Sequence, residues 1–187
     1  VSANYRLHPH VKHPAYMEDA AAAFAFARKE ILQYGGSQKK IFLSGHSAGG
    51  YLVGMLALDS QYLTGYQLKT SDIAGVFPVT GQMLTHSTIR RELGIPETRP
   101  LIDRFAPAYH VRSDAPPFLN LAGAQDLPSR AEENRYFIAA LKNAGHRDAA
   151  YLEVPGRTHT SVAAGLANGE DPGEQAVIAF IRRLSVR

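Results

Sequence analysis

Apolar residues fall in short runs that alternate with longer stretches of helical periodicity, the pattern of a parallel sheet covered by helices. Residues 1–5 read as the end of a strand. Residues 16–33 read as an Ala-rich helix that stops at Tyr34-Gly35-Gly36. A short strand is expected over 41–44, a helix over 48–58 and a strand over 73–79. Pro116-Pro117 introduces a buried strand over 118–122, and another is expected over 149–154. Between these two, residues 129–143 form an amphipathic helix, with Ser129 and Glu132 spaced as a capping box and Ala144-Gly145 closing it. A last helix over 174–184 follows Pro172.

Residues 80–114 break the rhythm. One short helix is expected there, over 89–93, in a connection long enough to suggest a lid or binding loop. No linker divides the series, so residues 1–187 are expected to form one α/β domain with 80–114 as a lid or pocket excursion. Gln82, Met83 and Leu84 closely follow a strand end and are candidates for substrate contact.

Composition removes several classes. With no cysteine, the chain has no disulfide, no thiol nucleophile and no Cys-zinc site. The net charge of +3 comes from scattered Lys and Arg, without the basic stripe a nucleic-acid face needs. The longest apolar stretch, 20–27, is too short to span a bilayer. His8, His10 and His13 sit among Pro9 and Pro14 without the spacing of a helical zinc pair, so no metal is expected. The sequence does not fix the compartment.

The chemistry is concentrated at Gly45-His46-Ser47-Ala48-Gly49, a G-x-S-x-G motif between an expected strand and an expected helix. A turn that sharp holds the serine in a strained conformation at the C-terminal edge of the sheet, with small neighbours relieving the crowding. The helix N-terminus behind it favours developing negative charge. A serine nucleophile needs a base, and the base needs an orienting acid. In a parallel sheet, residues just after a strand share the nucleophile's edge. His159 follows the strand over 149–154 and meets that condition, whereas His146 precedes it. His86 and His110 lie in the irregular segment and stay open. Among the acids, Asp126 follows the strand over 118–122, while Asp114 and Asp148 precede strands; Asp103 is the fallback. The chain order Ser47, Asp126, His159 is that of an α/β-hydrolase triad. His46 reads as packing near the turn.

The chain resembles the esterase and lipase group of the α/β-hydrolases, near the hormone-sensitive-lipase-like carboxylesterases and the arylformamidase-like esterases. The resemblance rests on Asn4-Tyr5-Arg6-Leu7, Pro14, Glu18-Asp19, Tyr34-Gly35-Gly36, Gly45 to Gly50, Gly123 to Asp126 and Gly156 to His159. It implies acyl transfer from a small-molecule ester to water through an acyl-enzyme, without metal or cofactor. An arylformamidase or other amidase would use the same triad, and a non-catalytic binding protein could share the fold. These families carry an upstream His-Gly-Gly segment that supplies part of the oxyanion hole. Here nothing precedes Val1, and the Ala48 N–H is the visible donor. The expectation is a sheet lacking its N-terminal strands, completed by a separate N-terminal segment or by a second copy of the chain.

Overall fold

A computed structural model of the protein describes residues 1–186. Four strands, β1 (Phe42–His46), β2 (Gly75–Val79), β3 (Phe118–Gln125) and β4 (Ala149–Thr158), form one sheet in the order β1-β2-β3-β4. Every pairing is parallel, so each connection returns across the sheet and each strand ends on the same edge.

Alternate side chains of the strands face opposite ways, and helices cover both faces. Leu43, Val76, Phe118 and Tyr151 pack with α1 (Ala15–Glu30), α2 (Ala48–Leu58) and, further along the chain, α5 (Arg130–Asn143). Short helices α3 (Gln61–Thr64) and α4 (Ser87–Glu92) lie between α2 and α5 in the chain. Phe42, Phe77, Leu119, Leu121 and Leu152 pack on the other face, with α6 (Ser161–Gly165) and α7 (Pro172–Ser185). From Gly50 to Leu58 every residue of α2 is buried. A helix apolar all round must be a core helix, and α2 is packed against both β1 and α1. No helix among the described residues is long and apolar enough to cross a membrane.

The structure corrects several expectations. Residues 1–5 form no strand. A strand exists only as part of a pair, and β1 pairs with β2 alone. The segment is instead tied to α1 through Asp19, whose carboxylate accepts from the Arg6 backbone N–H at 2.8 Å and from its guanidinium at 2.7 Å. Ser129 makes no side-chain cap; it sits at φ 66°, and Glu133 rather than Glu132 turns inward. β3 and β4 run past their apolar cores because they pair with each other as far as Gln125 and Thr158, through a register shift after Gly123. A side chain at Gly123 would strike the Arg157 carbonyl, so glycine permits this close approach. Residues 80–114 fold compactly, with Met83, Ile89, Ala106 and Ala108 all buried.

Candidate active site

β1 ends at His46 and α2 begins at Ala48, so Ser47 alone makes the turn. It adopts φ 54°, ψ −112°, a conformation costly for any residue with a Cβ. The crossing is tight: a Cβ at Gly45 would collide with the Gly49 backbone, and one at Gly50 would lie 2.7 Å from the Gly81 Cα. The Ser47 N–H donates to the Val79 carbonyl at 2.9 Å and so fixes the turn to the end of β2.

Ser47 occupies the cap position of α2, yet its side chain caps nothing. Its Oγ lies 2.9 Å from His159 Nε2. His159 immediately follows β4, and its Nδ1–H donates to Asp126 at 2.7 Å. Asp126 immediately follows β3; its two oxygens also accept from the Leu127 N–H at 2.7 Å and the Gly123 N–H at 3.1 Å. With its side chain only 1% exposed, Asp126 is held away from water, while His159 at 18% remains open to it. Because Nδ1 keeps its proton and donates it to the carboxylate as a hydrogen bond, Nε2 of neutral His159 is left as the acceptor facing Ser47. His46 Nε2–H donates to the His159 carbonyl at 2.7 Å and steadies its backbone. The Ala48 N–H opens α2, among the first four amides that lack an intrahelical partner.

The other candidate histidines and acids lie elsewhere. His146 Nε2 donates to the Ala115 carbonyl ahead of β3, at 2.9 Å. His110 donates to the Arg104 carbonyl at 2.8 Å. Asp103 accepts from the Thr85 hydroxyl at 2.7 Å and the Phe105 N–H at 2.9 Å. No group of three His, Asp or Glu side chains among the described residues could hold a metal ion.

The structure corrects the expectation for substrate contact at Met83, while Gln82 and Leu84 are partly exposed. Met83 is fully buried in the core and has no surface with which to touch a substrate. The Gln82 side chain accepts from the Ser87 N–H at 3.0 Å, and Leu84 packs against the core. A cavity of about 210 Å³ next to Ala48 is lined from this excursion by His86, Thr88 and Arg91 instead.

A buried polar group on α5 escaped the sequence reading. Arg130 donates to the Thr80 carbonyl at 2.6 Å and pairs with Glu133 at 3.1 Å. Glu133 accepts from the Met83 and Leu84 N–H groups at 3.1 and 3.3 Å. Asn134 donates to the Gly81 carbonyl at 2.9 Å and accepts from Asn120 at 2.8 Å. Burial pushes the Glu133 carboxyl up against the pull of Arg130, and burial pushes the Arg130 guanidinium down. Together these side chains strap the chain leaving β2 beside Ser47. The available signal was three polar residues on the helix face that also carries Phe137, Ile138 and Leu141.

The sequence profile of the BD-FAE family matches residues 1–141. Esterase LipQ of Mycobacterium tuberculosis is 30% identical over 175 residues, covering 85% of this chain and 42% of LipQ. Esterase LipC of the same organism is 29% identical over 180 residues, covering 85% of this chain and 44% of LipC. The chain thus spans less than half the length of these curated relatives. Among solved structures, a truncated carbohydrate esterase from gut microbiota superposes with a TM-score of 0.77 at 19% identity, over 98% of this chain and 73% of that one. Propionate-bound Est2 from Thermogutta terrifontis gives 0.70 at 20% identity, over 98% of this chain and 69% of that one. At those identities the likeness speaks for the fold, which is the parallel sheet and flanking helices described above. The profile supplies what the fold cannot, and on it this chain belongs to the BD-FAE family, within the α/β-hydrolase esterases.

Proposed function

We propose that this chain carries the catalytic portion of a carboxylesterase-type serine hydrolase, cleaving small or medium carboxylic esters through an acyl-enzyme on Ser47. The observation that carries the reading is the hydrogen-bonded line from Ser47 through His159 to Asp126, at 2.9 and 2.7 Å. His159 Nε2 takes the hydroxyl proton as Ser47 Oγ attacks the ester carbonyl. Asp126 holds the ring in the required tautomer and stabilises the imidazolium. The Ala48 N–H and the N-terminus of α2 face the oxygen on which charge develops. Collapse expels the alcohol, which takes its proton from His159. Water then repeats the sequence on the acyl-enzyme, and the acid leaves.

The free edge of β1 enters the same reading. A groove of about 650 Å³ runs beside it, lined by Phe24, Leu43, His46, Leu52 and Leu56. An extended segment laid along β1, from a longer form of the chain or from a second copy, would satisfy the edge and bring a second oxyanion donor near Ala48. An unpaired strand edge favours such association.

The test is a fluorophosphonate probe, which needs a nucleophilic serine and no knowledge of the substrate. The chain should label, Ser47→Ala should not, and that variant should keep its thermal midpoint. Ser47→Ala retaining more than a few per cent of ester turnover would overturn the assignment. Comparing a p-nitrophenyl ester with an N-formyl aryl amine separates ester from formamide cleavage, and the ester should turn over faster.

A further inference from the structure

The 210 Å³ cavity beside Ala48 is lined by Tyr51 and Leu52 of α2, by Arg6, and by His86 and Arg91 at either end of α4. Three of the polar side chains that line it are engaged within the protein. The Tyr51 hydroxyl donates to the Phe105 carbonyl at 2.8 Å. Arg6 is held by Asp19 at 2.7 Å and Arg91 by Glu97 at 2.6 Å, so neither cation is free to select an anionic substrate.

His86 differs. Its Nδ1 accepts from the Thr88 backbone N–H at 3.2 Å. A backbone amide can only donate, so Nδ1 carries no proton and the neutral ring carries it on Nε2. That Nε2–H has no acceptor among the described residues, and it is not one of the polar atoms sealed from solvent without a partner. The ring is held in place by Tyr51, with centroids 4.9 Å apart. Burial, with Arg130 and Arg90 nearby, lowers the His86 pKa to about 4, so the ring stays neutral at working pH. The result is an oriented, uncharged donor on a residue that lines the cavity beside Ala48.

We infer that His86 is a positioning and specificity residue: its Nε2–H donates to an acceptor oxygen in the ester group that occupies this cavity. The favoured substrates are therefore esters that carry an ether, hydroxyl or keto oxygen a few atoms from the scissile carbonyl, over their all-carbon isosteres. This rests on the proposed esterase activity and deepens it. The donor orients the substrate without entering the chemistry, so its signature is selectivity.

Two matched pairs of esters test the inference. p-Nitrophenyl methoxyacetate against p-nitrophenyl butyrate varies the acyl side. 2-Methoxyethyl acetate against butyl acetate varies the alcohol side. The readout is the ratio of kcat/KM within each pair, which cancels changes in the triad common to both substrates. His86 also caps α4, so the variants must separate capping from donating. His86→Ser keeps a favoured cap residue but is too short to reach the cavity; His86→Gln keeps a donor near the Nε2 position and loses the cap. A hydrogen bond of ordinary net strength corresponds to about a tenfold change. In at least one pair, the ratio should fall about tenfold in His86→Ser and His86→Phe, mainly through KM, and return to within about threefold in His86→Gln. Ratios unchanged in both pairs, in variants that still label with fluorophosphonate, would overturn the inference and leave the esterase reading intact. A ratio that tracks the cap instead, falling in His86→Gln and preserved in His86→Ser, would also overturn it. Failure of the unsubstituted chain to label or turn over would overturn both. Should His86→Phe not fold, the serine and glutamine variants decide alone.

Discussion

Replacing Asp126 by asparagine exchanges one carboxylate oxygen for an NH₂ group and removes a negative charge. The carboxylate serves three donors: the Leu127 N–H and His159 Nδ1–H, each at 2.7 Å, on one oxygen, and the Gly123 N–H at 3.1 Å on the other. An amide oxygen can keep the first two or the third. Kept towards His159, it turns its NH₂ on the Gly123 N–H; flipped, the NH₂ meets two donors. The first orientation leaves one clash, at the longer contact, and is the one expected. An unsatisfied buried donor costs about 1–3 kcal/mol, so urea unfolding should report a loss of that size. The catalytic loss comes from charge. In the proposed mechanism His159 becomes an imidazolium, and a carboxylate charge about 4 Å away stabilises it by roughly 4 kcal/mol at an effective dielectric of about 20. At about 1.36 kcal/mol per tenfold, kcat should fall by about 10³, or by about 10⁴ if a flipped amide imposes the wrong tautomer. Steady-state turnover of p-nitrophenyl butyrate measures it, with KM little changed because Asp126 touches no substrate. A loss below tenfold in a folded variant refutes the coupling of Asp126 to His159.

Other consequences follow from burial and from the sheet edge. Burial, then Arg130, Arg90 and Arg91 outweighing Glu97, depresses His86 to about 4. The unfolded chain, with a histidine pKa near the usual value of about 6.5, binds the extra proton first as pH falls, so His86 makes the fold less stable between those pH values. Its share should be about 2 kcal/mol less stability at pH 5 than at pH 7. His86→Gln should lose that share in urea titrations at the two pH values, and an unchanged difference would contradict the burial of the ring. Arg130→Met leaves Glu133 buried without its cation and should cost about 3–5 kcal/mol in urea, since breaking a buried pair strands the remaining charge. Stability within about 1 kcal/mol of the parent would mean that the strap bears no strain. Sedimentation of the purified chain should show species heavier than the 20.4 kDa monomer, joined along the β1 edge. A purely monomeric chain with full turnover would remove the need for any segment beside β1.

The strand-to-helix turn at Ser47 was legible because two signals coincide there: small residues at Gly45, Ala48 and Gly49, and a switch from strand to helical periodicity. Chain order then sorted the acids and histidines by sheet edge, and the observed parallel sheet has Asp126 and His159 leaving adjacent strands. The far ends of β3 and β4 were not legible, since Gly123, Gly156 and Arg157 carry no apolar signal and are extended by pairing alone. Residues 1–5 show the converse error, a strand-like composition with no strand beside it. Within 80–114 the sequence pointed to Gln82, Met83 and Leu84 for substrate contact, but Met83 is buried in the core and the structure places His86, Thr88 and Arg91 at the cavity beside Ala48. Without periodicity, nothing in that segment distinguishes an inward side chain from an outward one. The Arg130, Glu133 and Asn134 group was obscure for a related reason: its partners are backbone atoms of residues 80–84, whose positions no side-chain pattern records.

Ser47 stands in two unfavourable roles at once, bent to φ 54° and withholding from α2 the cap its hydroxyl could have formed. Both are defects from the standpoint of folding alone. Glycine would relieve the bend, and an uncapped start such as this forgoes about 1 kcal/mol. Ser47 is thus a residue that the fold tolerates and does not want. Under the proposed chemistry that cost is the condition of having a nucleophile at all, and a lineage released from such chemistry would be expected to drift away from serine here first, becoming sturdier as it fell silent.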